Sequence, residues 1–317
     1  PACESKSDNS NNNLRIITWG GAYLSAQKNT FFDPFASNKG INIETVEYDG
    51  GTQNVLAESY YNLVIDQSGD KTAQGGTINV ANDMTISNSA TFSTGTNHIN
   101  ITGATTVSAT LDIGNAQFNC YGGFSATGNI NFSHGGGKLR FYTVSPTSLG
   151  TLDNTLGTVV YMSGATNVLS DNYYTLTIDD GGTAKTLQGD ANIAGNLNIK
   201  SGNQLNLGSN KMTTTGTSDI DGTLNISTGT YDANGAFDAT GGSVTFTDAG
   251  RLELAGTVTS LGTFTPSTGK VIYNGGAQNV LAETYNNLTI RFAGIKTAIG
   301  NVNVNNIFVI RTNATYD

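Results

Sequence analysis

A chain of 317 residues with a net charge of −9 and only 12% charged residues makes a poor nucleic-acid binder, because neutralising phosphates needs clustered Lys and Arg, and no basic run exists here. No apolar stretch approaches the ~18 residues that span a bilayer. Forty glycines against four prolines, with abundant Asn and Thr, describe many short strands and tight turns, which excludes a fold built on long helices.

Residues 1–13 read as a disordered polar leader, Pro1-Ala2-Cys3 followed by Ser, Asn and Asp. A small residue before Cys and then a polar tether resemble the processed end of a bacterial lipoprotein, and that resemblance implies a lipid anchor at Cys3. The other cysteine, Cys120, falls in phase with Phe118 in a strand-like run and reads as a buried free thiol.

Residues 14–47 differ from all that follows. The run from Leu14 to Trp19 reads as a buried strand, residues 22–35 as a helix weakened by Pro34, and residues 41–48 as an alternating strand, together one βαβ fragment. Thr18-Trp19-Gly20-Gly21-Ala22-Tyr23, Phe32-Asp33-Pro34-Phe35, Gly40-Ile41 and Val46-Glu47-Tyr48-Asp49-Gly50 resemble the first βαβ unit of extracellular solute-binding proteins of ABC importers, the spermidine/putrescine type. The resemblance covers some 37 residues and implies that Trp19, Gly20 and Gly21 face a ligand cleft in a periplasmic lipoprotein. No second lobe follows to close such a cleft.

From Tyr48 onward a long-period repeat takes over, with a period of about 112 residues. Tyr48-Asp49-Gly50-Gly51-Thr52-Gln53-Asn54-Val55-Leu56 returns as Tyr273-Asn274-Gly275-Gly276-Ala277-Gln278-Asn279-Val280-Leu281, with a weaker copy opening at Tyr161. Each copy has a second tyrosine (Tyr60, Tyr173, Tyr285), then a strand, then Lys-Thr at Lys71, Lys185 and Lys296. The domains expected are residues 48–160 as repeat 1, 161–272 as repeat 2 and 273–317 as a truncated repeat 3, within an array that continued in nature. Because Val46-Glu47-Tyr48-Asp49-Gly50 satisfies both the solute-binding pattern and the repeat opening, the join near Tyr48 reads as chimaeric.

Inside the repeats, apolar pairs such as Ile78/Val80, Met84/Ile86, Ile99/Ile101, Leu111/Ile113 and Leu224/Ile226 recur every seven residues or so, each alternating with period two. This even spacing predicts an all-β fold, a parallel β-solenoid (β-helix) preceded by the βαβ fragment. Tandem β-sandwich repeats are the alternative. At roughly 20 residues per coil and ~4.8 Å rise, residues 48–317 would make about thirteen coils.

Catalytic chemistry is sparse. His98 and His134 sit in polar, turn-like surroundings without a metal-ligand partner at close spacing. Asp219-Ile220-Asp221-Gly222 opens like a calcium loop but lacks the closing Glu. Arg15, Arg140, Arg251, Arg291 and Arg311 lie far apart in the chain. No catalytic residue, metal or cofactor is expected. The repeat region resembles arrays of large secreted bacterial surface proteins, including adhesin-like β-helix proteins. That resemblance implies a non-enzymatic structural stalk or binding surface, extracellular or on the cell surface, with glycans or surface proteins as partners. The alternatives are a periplasmic polyamine-type solute-binding lipoprotein and a polysaccharide-active β-helix enzyme.

Overall fold

The structure, a computed structural model, describes residues 13–18, 34, 38, 42–311 and 313–317. It is all-β, with parallel strands stacked in a β-solenoid of about 14 turns and essentially no helix. The chain divides into two compact units, Pro1–Asp153 and Asn154–Asp317. Apart from Pro34, the helix expected over 22–35 lies outside the described residues.

In the first unit, parallel pairing places each apolar residue on its counterpart one coil away. Ile78 stacks on Ile99, then on Phe118 and Leu139, while Val80, Ile101, Cys120 and Phe141 form the adjoining column. All eight are at most 1% exposed. The period-two strands alternate inward apolar with outward polar residues, and the in-register stack turns the inward set into a continuous core. Burying each such side chain contributes about 1.5–3 kcal/mol. Cys120 is the expected buried free thiol.

The segment before the repeat joins this stack. Asn42–Tyr48 pairs in parallel with Asn13–Thr18 on one side and with Asn62–Ile65 on the other. The strand bearing Val46-Glu47-Tyr48 is thus a rung of the solenoid as well as the second strand of the fragment.

The second unit repeats the scheme, with Leu176, Leu197, Ser218, Phe237 and Val258 in one column and Met212, Tyr231, Leu252, Val271 and Leu288 in another. Its corners are tight. Gly195, Gly216, Gly235 and Gly256 stack so closely that a Cβ on any of the last three would strike the carbonyl of the glycine before it. Outward-facing asparagines form ladders. In the first unit Asn119 donates to Asn100, which donates to Asn79, at 2.8 and 2.9 Å; in the second, Asn225 donates to Asn206 at 3.0 Å.

The conspicuous repeat motif turns out to be internal carpentry. The paired tyrosines twelve residues apart meet hydroxyl to hydroxyl: Tyr48 with Tyr60 at 2.9 Å, Tyr161 with Tyr173 at 3.1 Å, Tyr273 with Tyr285 at 3.0 Å. In each copy the first hydroxyl accepts the N–H of the motif leucine and the second donates to that leucine's carbonyl, at Leu56, Leu169 and Leu281. The pair supplies one acceptor and one donor to a corner that would otherwise bury them unmet.

The Lys-Thr signature is equally structural. Lys71, Lys185 and Lys296 are wholly buried, pointing inward where an apolar residue would be expected. Each ammonium donates to carbonyls of the turn just before it: Lys71 to Gln67, Lys185 to Thr183, Lys296 to Phe292, at 2.7, 3.1 and 3.0 Å. Those turns hold a non-glycine residue in the left-handed region, Gln67, Asp180 and Phe292. A buried ammonium that caps the turn is the compensation for that unfavourable backbone.

The strand Asn303–Ile310 shows what stacking supplies. Phe308 and Ile310 pair in register with Leu288 and Ile290, yet they are 44% and 48% exposed where their partners are fully buried, because among the described residues no strand pairs with their other side.

Two predictions follow from the tyrosine pairs. Tyr161→Phe leaves the Leu169 amide without its acceptor and should lower stability by about 1–3 kcal/mol, read from the shift in denaturant midpoint. Burial pushes the hydroxyls of all six paired tyrosines, and of Tyr231, above the ordinary value of 10.0, to about 12 for Tyr161, Tyr231 and Tyr273. A raised folded-state value keeps the proton on the folded chain while the unfolded chain releases it. That contribution is full below pH 10 and is lost as pH rises towards 12. Burial lowers the three buried lysines, which acts in the opposite sense, but seven tyrosines outweigh three lysines. The melting temperature should therefore fall steeply above pH 10, in step with the appearance of phenolate absorbance.

Candidate functional site: a cationic groove on the second unit

Three of the arginines that lie far apart in the chain converge in space. Arg251, Lys270, Arg291 and Arg311 line one groove of about 530 Å³ together with Ile272, Thr289 and Phe292. Strand register explains the arrangement. Arg251 pairs with Lys270 on adjacent coils, and Glu253, Ile272 and Thr289 form the next outward-facing column. Arg291 and Arg311 leave the ends of successive strands: Arg291 donates its amide to Tyr273, and Arg311 donates its amide to Ile290. Arg251 and Lys270 therefore form one wall, Arg291, Phe292 and Arg311 the other, and Ile272 and Thr289 the floor.

Two of the four cations share one carboxylate. Glu253, 9% exposed, accepts from Arg251 at 2.5 Å and from Arg291 at 2.8 Å, and Asn274 donates to it at 3.2 Å. The Arg291 guanidinium also lies over the Phe292 ring, 4.6 Å from its centroid, and its Nε is buried without a partner. Phe292 is 54% exposed and in the left-handed region. Stacking like charges on neighbouring rungs, ~4.8 Å apart, opposes folding. One glutamate offsets only part of that.

The residues that sequence reasoning singled out fare differently. Trp19, Gly20, Gly21 and Cys3 lie outside the described residues. His98 is exposed and accepts the Gln117 amide at 3.0 Å, and His134 is exposed beside Ser133. Asp219 and Asp221 flank Lys200 at 3.1 and 3.4 Å. Bonding to Asp219 holds the Lys200 ammonium above its ordinary range, so this acidic pair is answered by a lysine one coil away. Among the described residues no group of three or more His, Cys, Asp or Glu could hold a metal ion.

No known protein family, curated protein or solved structure matches the chain. The groove therefore stands on its geometry alone. It was not visible in the sequence because its cations come from four separate coils, and only the strand register brings them together.

Replacing Glu253 by Gln leaves Arg251 and Arg291 facing each other and their neighbouring cations without a counter-charge. Because both guanidinium groups are partly solvated, the loss should be about 1–2 kcal/mol, larger in low salt than in high salt, read from paired denaturation curves.

Proposed function

We propose that the chain is a non-enzymatic repeat segment of a secreted or cell-surface protein, serving as a structural stalk or adhesin-like binding surface. The observation that carries this reading is where the chemistry of the repeat motif lies. Its tyrosines and lysines, the residues most capable of proton transfer, are buried and committed to backbone groups of their own corners. What faces outward is Asn and Thr, and the Asn amides bond one another from coil to coil.

The groove also supports binding over turnover. Glycoside hydrolysis requires two carboxylates facing one bond, whereas the carboxylate at this groove is held by two arginines. The solute-binding alternative draws no support from the strand Asn42–Tyr48, which is paired on both edges as a solenoid rung.

Presenting the purified chain to a broad set of immobilised glycans should give saturable binding, with the bound sugars recovered unchanged. Release of new reducing ends or unsaturated products would replace this reading with an enzyme, and tight calorimetric binding of spermidine or putrescine would replace it with solute capture.

A further inference from the structure

We propose that the groove bounded by Arg251, Lys270, Arg291 and Arg311 binds an acidic saccharide, holding an oxyanion group of the sugar between its two cationic walls. This rests on the binding-surface reading above and names the ligand class for one site on it.

Charge imbalance is the first argument. Each wall stacks two cations on adjacent rungs, and Glu253 reaches only Arg251 and Arg291. Lys270 and Arg311 make no ion pair among the described residues. Like charges at ladder spacing repel, and an incoming anion relieves that repulsion on both walls at once. Guanidinium groups suit this role, since their planar forks match carboxylate and sulfate oxygens in bidentate fashion. The Arg291 side chain is 30% exposed, so its guanidinium is within reach of such a group.

Size and lining supply the second argument. A single small oxyanion would leave most of about 530 Å³ empty, whereas that volume suits a ligand of one or a few sugar rings. Phe292 on the wall, 54% exposed, offers apolar contact to the C–H face of a ring. Thr289 adds a hydroxyl for the sugar's own.

A nucleic acid fits less well. It needs a cationic track that follows many phosphates, and here the cations are confined to two short walls on a chain of net charge −9. A saccharide with isolated acidic groups needs only the local cluster.

The test uses the full chain and four probes at equal concentration and low salt: a uronate oligosaccharide, a sulfated oligosaccharide, a neutral oligosaccharide of the same length, and a single-stranded DNA oligonucleotide. Calorimetry should show binding of at least one acidic saccharide, weakening as salt rises, with the neutral one at least about tenfold weaker. The uronate and sulfate arms tell which oxyanion the groove prefers. The double variant Lys270→Gln/Arg311→Gln, whose side chains hold no ion pair among the described residues, removes one charge from each like-charged wall, so it should melt no lower than the parent and lose about tenfold or more in affinity, one factor of ten per 1.4 kcal/mol. Arg140→Gln, which removes a cation on the first unit that bonds Gln117 and lies over the Tyr142 ring, should leave the affinity unchanged.

The proposal is overturned if no acidic saccharide binds, if the double variant binds as well as the parent, or if the DNA oligonucleotide binds more tightly than either acidic sugar. Binding confined to the neutral saccharide would remove this site and leave the wider reading as a binding surface intact.

Discussion

Each rung of this protein is buried only because another rung lies against it. Parallel pairing at ~4.8 Å sets every inward side chain on its counterpart in the next coil, and the columns Ile78–Ile99–Phe118–Leu139 and Met212–Tyr231–Leu252–Val271–Leu288 are the result. The contrast between buried Leu288 and exposed Phe308, paired in the same register, isolates the effect. The residues are comparably apolar, and what differs is the presence of a covering strand.

The same constraint accounts for the polar residues kept inside. A strand–corner–strand path turns the backbone inward at each corner, and some amides and carbonyls there meet no ladder partner. The tyrosine pairs meet those needs at three corners with the same hydroxyl geometry, and the buried lysines cap the turns that follow. The recurrence of Tyr, Leu and Lys-Thr in the chain is therefore a record of corner chemistry. Outside, in-register stacking converts isolated asparagines into ladders, which tie up part of the polar surface that would otherwise meet a ligand.

Stacking in register also concentrates charge. On most of the surface the outward residues are neutral, so superposing them is harmless. On the second unit it superposes Arg251 on Lys270 and brings Arg291 beside Arg311, with Glu253 alone between the walls. A groove of one sign on an acidic chain is a local departure from the rest of the molecule, and it gives the surface a place of distinct chemistry.

Much of the fold was legible beforehand. Period-two apolar pairs at even, short spacing, such as Ile78/Val80 and Leu224/Ile226, carry the parallel solenoid in the chain itself, because side-chain alternation is a local property of extended backbone. The burial of Cys120 and the exposure of His98 were readable for the same reason. Register was not. Which residue sits over which depends on coil lengths that vary, 19 residues between bonded ladder asparagines in one step and 21 in the next, and a local pattern does not add these up. Hence the tyrosine pairs, the inward lysines and the convergence of Arg251, Lys270, Arg291 and Arg311 became visible only once the coils were stacked. The sequence by itself determined that strands would form and which face would be apolar; the tertiary structure decided which distant side chains would become neighbours, because contact between coils is set by cumulative geometry along the stack.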